Sequence, residues 1–491
     1  MKKIHLISML LLVVGVFCSC TNKDYQKAIP ADASLVMRVE FGDIAQKSDF
    51  LKSDIMKTAE QSLEAAVKKE DMEKVKTYLE DPMEMGLDFS EPAYFFMVGM
   101  ETFGMTMKVK DEGALKDFIE VLQKQGMATK PIEKDGLMCG TLIDEIHYSY
   151  DANACLFLAS PKGKGKSSTS RMARELMNQK EGDSFLGTDG FDRLEDMDGD
   201  VTLYTNVGIL PQEMRASIMN FLPDGLDAKD LDLVSDLNFE DGKATLTAKL
   251  YGNSSIAKQM IKSADDCFSD INGEFVENVS DKMVMWFGTN MKGEEQLKYL
   301  KASKSIKEML FMMERVIDIE QMLKAVDGDF SVELQMDENS FDQPEFVSYA
   351  QLKNTDFLAD VDYWKGSMED YGATMTELAK NQYQIKSDEF SFLWGVDGKN
   401  LYMSTGNADR QSAAKESPLK PYAKDIKKSK FFVFLNLEAL VKGELKKNPD
   451  PMEKKIMGAL KALVAKAPSA NEMSITVELQ NKDENFLKQL F

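Results

Sequence analysis

Alternating apolar and polar positions predict a strand near the start of the chain and another beyond its midpoint. In "ASLVMRVEFGDIAQ", from Ala33, the side chains of Leu35, Met37 and Val39 fall on one face of an extended backbone. The stretch "SDKMVMWFGTNMKGEE", from Ser280, changes from alternation to a helical pattern in the same way. Each stretch therefore predicts a β-strand that leads directly into a helix.

The segments that follow these two strands occur in the same order. A long amphipathic helix is predicted first, and in the first copy its apolar residues recur every four positions at Ile55, Ala59, Leu63 and Val67. "VKDEGALKDFI" then aligns without a gap on "LKNTDFLADVD". A strand meander ends as "YDANACLFLAS" in one copy and as "VDGKNLYMSTG" in the other. This repeated order predicts an internal duplication.

The closing strand of each copy indicates the kind of sheet. In "ATLTAKLYG" and "MSITVELQ" apolar residues alternate with polar ones, which is typical of antiparallel sheets with one buried face. We predict an α+β protein of two tandem related units, residues 31–275 and 276–491, each an antiparallel sheet with helices packed on one face. A chain of 491 residues is long enough for two such cores.

The N-terminus has the pattern of a secretory signal. "MKKIHLISMLLLVVGVFCSC" places Lys2 and Lys3 before an apolar run too short to span a bilayer. Ser19 directly before Cys20 resembles the lipobox of bacterial lipoproteins, which predicts a signal peptide over residues 1–19 and lipid attachment at Cys20. Cys18 is a poorer candidate because a bulky aromatic residue precedes it. An ordinary secreted protein that is cleaved nearby is the alternative.

The sequence after Cys20 predicts a tether and a location. "TNKDYQKA" shows no apolar periodicity, so residues 20–30 are predicted to connect the lipid to the first folded unit. Lys23 and Asp24 partly match a short charged signal that directs some lipoproteins to the cell surface. We therefore expect an outer membrane lipoprotein that faces either the periplasm or the cell exterior and contacts the membrane through its N-terminal lipid.

Acidic residues dominate the charge of the chain. The formal net charge is −22, and it becomes −24 when Lys2 and Lys3 leave with the signal peptide. A surface of this sign repels the phosphates of nucleic acids and of anionic lipids. We predict no nucleic-acid partner.

Three cysteines remain in the chain beyond Cys20, namely Cys139, Cys155 and Cys267. An odd number means that at least one thiol is unpaired within the chain. Cys139 and Cys155 are predicted on the outer strands of a three-stranded meander, roughly 10 Å apart across two strand spacings. A disulfide needs the two Cα atoms within about 7 Å. We interpret all three cysteines as small buried apolar residues.

The stretch "SPKGKGKSS" resembles a phosphate-binding loop through Gly165, Lys166 and Ser167. Such a loop requires a glycine at the position held by Ser160, because backbone amides must wrap the phosphates. Pro161, which follows, has no amide donor. The strand before the loop ends an antiparallel meander, whereas nucleotide-binding folds use a parallel strand. We predict a solvated connection and no nucleotide.

Few residues are available for metal binding or nucleophilic catalysis. His147 is the one histidine of the mature chain, which excludes a site built on two histidines, and we interpret it as a strand histidine rather than a catalytic base. Asp196, Asp198 and Asp200 resemble the start of a calcium loop, but the glycine and the final glutamate of such a loop are missing. We predict no metal, no cofactor and no catalytic residue.

The lipobox, the polar segment after it and the stretch "IPADASLVMRVEFGDIAQKS", from Ile29, together resemble a Bacteroidetes lipoprotein family known as domain of unknown function DUF4836. The resemblance covers most of the chain in architecture. No catalytic motif defines that family, so the resemblance implies an envelope lipoprotein and carries over no site residue.

These observations favour a lipid-anchored cell-envelope protein that binds or scaffolds without catalysis. An envelope protein or a glycan is the expected partner. The alternative is a carboxylate-dependent hydrolase that acts on glycans, because such an enzyme needs only two suitably spaced acids. The 82 acidic residues offer many pairs, and sequence alone does not rank them.

Overall fold

The computed structural model describes residues 23–49, 67–68, 71–99, 101–143, 145–159, 166–209, 212–213, 215, 225–277, 279–337, 340–388, 390–405, 408, 414, 416–445 and 450–490. The chain forms two compact units. Unit 1 takes the described residues of Met1–Ile209, Asp232–Leu246 and Lys482–Phe491, and unit 2 those of Leu210–Leu231 and Thr247–Asn481. Residues 247–275 thus group with unit 2 and residues 482–490 with unit 1, so the compact units do not coincide with the expected repeat units.

The strands are numbered in chain order. They are β1 (Leu35–Val39), β2 (Ala93–Val98), β3 (Thr102–Lys108), β4 (Ile132–Lys134), β5 (Leu137–Leu142), β6 (Ile146–Tyr150), β7 (Ala154–Ala159), β8 (Val201–Asn206), β9 (Leu231–Glu240), β10 (Lys243–Gly252), β11 (Phe268–Ser269), β12 (Met283–Lys292), β13 (Val326–Asp337), β14 (Ser340–Leu352), β15 (Thr374–Ala379), β16 (Gln382–Lys386), β17 (Ser391–Asp397), β18 (Asn400–Thr405), β19 (Phe431–Leu435), β20 (Leu460–Ser469) and β21 (Glu472–Leu479).

The α-helices are numbered in the same way. They are α1 (Phe41–Ser48), α2 (Met72–Glu80), α3 (Glu112–Lys124), α4 (Lys166–Met177), α5 (Asp189–Glu195), α6 (Ser255–Asp266), α7 (Gly293–Leu300), α8 (Lys304–Met313), α9 (Ile319–Ala325), α10 (Val361–Asp370), α11 (Ala423–Ile426), α12 (Leu437–Leu445), α13 (Pro451–Ala459) and α14 (Phe486–Leu490). Ile55, Ala59 and Leu63 of the predicted first-copy helix lie outside the described residues.

The strands of each unit pair with their neighbours in antiparallel fashion. In unit 1 the order is β9, β8, β1, β2, β3, β7, β6, β5, β4. In unit 2 it is β21, β20, β19, β12, β13, β14, β18, β17, β16, β15. When β9 is matched with β20, each strand in the unit 1 order corresponds to one strand in the unit 2 order, and β21 is the additional strand of unit 2. The α+β class and the antiparallel sheets are therefore confirmed, while the duplication of the sequence stays a prediction.

Both faces of the unit 1 sheet are covered, which differs from the expected single buried face. Ala93 and Phe95 of β2 belong to the apolar cluster that includes α2 and α3. Tyr94 and Phe96 belong to the cluster that includes α4 and α5. The stretch "AYFFMV" has no charged residue, and such an uninterrupted run is typical of a strand buried on both faces.

The expected tether does not extend over residues 23–30. Lys23–Ala28 form a 3-10 helix, and Tyr25, Ala28 and Ile29 are buried in the core of unit 1. The hydroxyl of Tyr25 donates to the carbonyl oxygen of Pro92 at 2.9 Å. Ala28 and Ile29 follow Tyr25 by three and four positions, so one helical turn brings the three apolar side chains to the same side although the stretch is too short to show periodicity.

Candidate functional site

A buried network of polar residues surrounds Arg38 in unit 1. Strand pairing places Arg38 of β1 directly opposite Tyr94 of β2. Nε of Arg38 lies 3.1 Å from Oε1 of Glu40, and Nη1 lies 3.5 Å from Oε1 of Glu195. The Tyr94 hydroxyl donates to the same Glu195 oxygen at 2.9 Å, and Nε2 of Gln26 donates to the Tyr94 hydroxyl at 2.7 Å. One guanidinium thus joins two carboxylates.

The local sequence explains how these groups meet. Glu40 directly follows β1 and leads into α1, while Glu195 is the last residue of α5. The sheet face that carries Val36 and Arg38 is the more deeply buried face of β1. A charged side chain on that face requires partners, since an unpaired buried charge is costly. Glu40 and Glu195 provide them, and the Tyr94 hydroxyl donates in turn to Glu195.

Burial changes the acidity of this network. It raises the pKa of Glu40 to about 7, and the neighbouring carboxylates of Asp43 and Glu195 act in the same direction, while Arg38 partly offsets the rise. Burial and the nearby Glu195 also raise the pKa of Tyr94, which stays a neutral donor. A carboxyl that titrates near neutral pH is found in acid–base catalysts and in structural ion-pair networks alike.

A groove of about 510 Å³ lies on unit 1 beside α3. Its lining combines exposed residues of α3 with the segment around β4 and β5, namely Lys116, Glu120, Gln123, Lys124, Lys130, Pro131 and Met138. The opposite side of α3 packs into the core, so the helix presents its charged side outward. Three of the lining residues are lysines and one is a carboxylate. The groove is therefore locally basic on an acidic chain.

The lysines of the groove differ in their pairing. Nζ of Lys124 lies 3.8 Å from Oδ1 of Asp71, a long ion pair between an exposed ammonium group and a buried carboxylate. Lys116 and Lys130 make no ion pair with any described residue. An ammonium group without a fixed partner is available to an external anion.

The predicted lipid attachment residue, Cys20, lies outside the described residues, as do Ser160, Pro161 and Gly165. Lys166 and Ser167 are the first two residues of α4. The strand before them, β7, is antiparallel to both of its neighbours. The predicted antiparallel meander before this stretch is therefore confirmed, while the absence of a nucleotide stays a prediction.

The three cysteines lie where the sequence predicts. Cys139 is on β5 and Cys155 on β7, with β6 between them. Cys139, Cys155 and Cys267 are buried free thiols. His147 lies on β6 and is also buried, at 8% exposure. Among the described residues no group of three or more His, Cys, Asp or Glu side chains is arranged to hold a metal ion.

The aspartates of the rejected calcium loop have separate environments. Asp200 is buried, and Nζ of Lys47 lies 2.6 Å from its Oδ1. The backbone nitrogen of Phe239 donates to Oδ2 of Asp200 at 2.7 Å. Asp196 and Asp198 are exposed. Asp200 is thus an internal anchor for β8 and β9.

Local sequence patterns predict neither the Arg38 network nor the lysine groove. Arg38, Glu40 and Glu195 belong to segments that are distant in the sequence, and nothing in the local pattern joins them. The lysines of α3 are detectable in principle, because Lys116, Glu120 and Lys124 recur every four positions on one helix face. That pattern does not indicate a groove, which forms only when β4 and β5 lie beside the helix.

The chain belongs to the family described as domain of unknown function DUF4836, whose model matches residues 25–487. No curated protein matches the sequence. Crystal forms IV, I and III of TP0453 align with 13%, 14% and 14% identity and TM-scores of 0.27, 0.27 and 0.28. The alignments cover 46%, 49% and 51% of this chain and 79%, 83% and 87% of the other. A likeness this weak carries no argument about function. None of the described helices is both long and apolar enough to cross a membrane.

Proposed function

We propose that this DUF4836 protein is a cell-envelope lipoprotein that acts by binding or scaffolding rather than by catalysis. It is attached through Cys20 to the outer membrane, on the periplasmic side or at the cell surface. Its groove beside α3 binds an acidic glycan. The lipobox at Ser19 and Cys20 supports the anchor.

The observation that carries the binding proposal is the convergence of Lys116, Lys124 and Lys130 on one groove. The volume of about 510 Å³ falls within the range of ligand sites. Ammonium groups attract the carboxylates or sulfates of an acidic sugar. Pro131 and Met138 add apolar surface for the carbon–hydrogen faces of the sugar rings. A neutral glycan gains nothing from the lysines, so the charge selects an acidic one.

The arrangement of the buried charges supports a non-enzymatic role. Both carboxylates of the Arg38 network are held by the same guanidinium. Asp200 forms an ion pair with Lys47. Asp232 forms one with Arg193, whose Nη1 lies 2.8 Å from Oδ2 of the aspartate. The groove itself contains the single carboxylate Glu120. A glycosidase of the usual kind needs two acids facing one sugar.

Calorimetric titration with an oligogalacturonate tests the groove. We expect the Lys116→Gln/Lys130→Gln variant to bind at least about tenfold more weakly than wild type, because two charge-assisted contacts are lost. The matched control is Lys258→Gln/Lys262→Gln, which removes two exposed lysines from α6. No binding by wild type, or an equal loss in both variants, would overturn the glycan proposal.

The same mixture tests for catalysis. Chromatography of the oligogalacturonate after incubation is expected to show the starting material unchanged. Cleavage by wild type that disappears in Glu40→Gln or Glu195→Gln would replace the binding proposal with the hydrolase alternative.

Membrane fractionation tests the anchor. Wild type is expected in the outer membrane fraction, with a lipid mass on the peptide that begins at Cys20. Cys20→Ala is expected to lose that mass, whereas Cys18→Ala keeps it. A lipid that persists in Cys20→Ala contradicts the assignment.

A further inference from the structure

Helix α8 of unit 2 exposes large apolar side chains. Ile306 and Leu310 anchor it to the protein and are buried beside Leu297. On the outside, Phe311 is 65% exposed and Met312 is 61% exposed. Met309 and Met313 are exposed as well. Adjacent exposed apolar side chains of this size mark a contact surface rather than a random surface position.

Cations line the same side of the helix. Lys304, Lys307 and Phe311 follow one another at spacings of three and four residues, which places them on one stripe. Arg315 continues this stripe, and its guanidinium lies 5.4 Å from the centre of the Phe311 ring. None of these three cationic side chains forms an ion pair within the described part of the chain. The net charge of −22 makes the surface as a whole repel anionic lipid, and this basic stripe is a local exception to it.

A tyrosine extends the surface beyond the helix. Tyr363 of α10 is 57% exposed, and its hydroxyl donates to the carbonyl oxygen of Arg315 at 3.2 Å. Tyrosine has an apolar ring and a polar tip, which suits the boundary between hydrocarbon and lipid headgroups. We call Lys304, Lys307, Phe311, Met312, Arg315 and Tyr363 the α8 surface.

The composition and size of the α8 surface identify its occupant. We propose that it rests on an anionic phospholipid membrane, with Phe311 and Met312 inserted among the headgroups and the cations bound to lipid phosphates. Helices that lie on membranes combine apolar side chains with flanking Lys and Arg in this way, and the long Lys stems reach back to the headgroups.

A protein partner fits the α8 surface less well. Stable protein interfaces use roughly 20–30 residues on each side, whereas this surface is six side chains on one short helix and its neighbour. A membrane contact needs only a few inserted side chains with flanking cations, because buried apolar area and attraction to anionic headgroups both contribute to its affinity. The contact therefore sets how unit 2 lies against the bilayer.

Exposed Glu308 lies between the apolar and basic side chains and opposes this contact. Its charge repels lipid phosphate, so its removal is expected to strengthen binding. Substitution of the apolar side chains is expected to weaken binding, whereas loss of the Glu308 charge is expected to strengthen it. This difference distinguishes an anionic membrane contact from nonspecific adsorption.

Vesicle flotation tests the proposal with the mature chain carrying Cys20→Ala, which has no lipid. We expect binding to phosphatidylcholine vesicles that contain phosphatidylglycerol and little binding to phosphatidylcholine alone. Phe311→Ser/Met312→Ser is expected to lower the bound fraction at least about tenfold. Lys304→Gln/Lys307→Gln is expected to remove the dependence on phosphatidylglycerol, and Glu308→Gln to increase binding.

The matched control is Ile256→Ser/Leu378→Ser, which changes two exposed apolar residues elsewhere in unit 2. Thermal unfolding confirms that each variant is folded, and all substituted side chains are exposed. Equal flotation of wild type and Phe311→Ser/Met312→Ser would overturn the proposal. A concentration-dependent dimer that is lost in the same variant would overturn it in favour of a second copy of the chain.

Discussion

The carboxylate of Asp329, on β13, accepts a hydrogen bond of 2.7 Å from the backbone nitrogen of Gly273, which belongs to a loop. The backbone nitrogens of Asn272 and Glu274 donate to the same carboxylate, as does Nδ2 of Asn290. Asp329 is 2% exposed. One buried side chain therefore holds three consecutive loop residues.

Asp329→Asn is expected to lower the free energy of unfolding by about 3 kcal/mol or more, because an amide nitrogen then faces backbone donors. Urea denaturation measures the change. Asp327→Asn is the matched control, since Asp327 is exposed on the same strand, and its effect is expected within about 0.5 kcal/mol. Equal effects of the two substitutions contradict the anchoring role of Asp329.

The raised pKa of Glu40 predicts a pH dependence of stability. Its pKa rises from an ordinary 4.5 to about 7 on folding, so the folded chain holds the proton more tightly than the unfolded chain. The stability gained from protonated Glu40 is complete below pH 4.5 and is lost as the pH rises through about 7.

Glu40→Gln is expected to remove this dependence, so that wild type loses about 2 kcal/mol more than the variant over that range. Denaturation series at several pH values measure the difference. Glu73→Gln on α2 changes an exposed glutamate and is expected to keep the wild-type slope. Parallel slopes for wild type and Glu40→Gln would show that folding leaves the pKa of Glu40 unchanged and would contradict the prediction.

Gly86 is predicted to tolerate no side chain. Its φ is +82°, and a Cβ there would lie 2.2 Å from the backbone nitrogen of Leu115 at the start of α3. Gly126 has a φ of +70° but open space around it. Gly86→Ala is expected to cost roughly 3 kcal/mol or more and Gly126→Ala about 1 kcal/mol, measured by thermal or urea unfolding. A similar cost for both would mean that α3 yields to the added methyl group.

The buried thiols are predicted to be unreactive in the folded protein. Burial raises the pKa of Cys155, and it raises the pKa of Cys267 to about 11. Thiolate is the reactive form, so the mature chain with Cys20→Ala is expected to react with a disulfide reagent only after denaturation, and then at all three cysteines. Ser305→Cys adds an exposed thiol as a positive control. Prompt labelling of Cys139, Cys155 or Cys267 in the native state contradicts their burial.

Local patterns were sufficient for the strands and the helix that follows them. The alternation around Met37 predicted β1, and the next residues form α1. The apolar residues of "ALKDFIEVL" also recur at helical spacing, and α3 buries Leu115, Phe118 and Leu122 on one side, although no helix was predicted there. The placement of Cys139 and Cys155 followed from the predicted three-stranded meander. Each of these predictions depends on neighbours in the sequence, and periodicity carries that information.

Two predictions for unit 1 were wrong for a common reason. One was that helices cover a single face of the sheet, and the other was that residues 23–30 form part of a tether. Tyr25 lies in a polar stretch, yet the sheet supplies a buried place for its ring and a carbonyl, from Pro92, for its hydroxyl. Composition describes the segment alone, whereas burial depends on the surface it meets.

The sequence by itself determined the α+β class, the antiparallel strands and the free thiols, because each depends on residue order or residue type within a short segment. Only the tertiary structure decided that Arg38 joins Glu40 and Glu195, that three lysines share one groove and that Phe311 faces outward. The partners of these side chains are distant in the sequence, and only folding brings them within contact distance. Folding also decides which apolar side chains, such as Phe311, are left exposed.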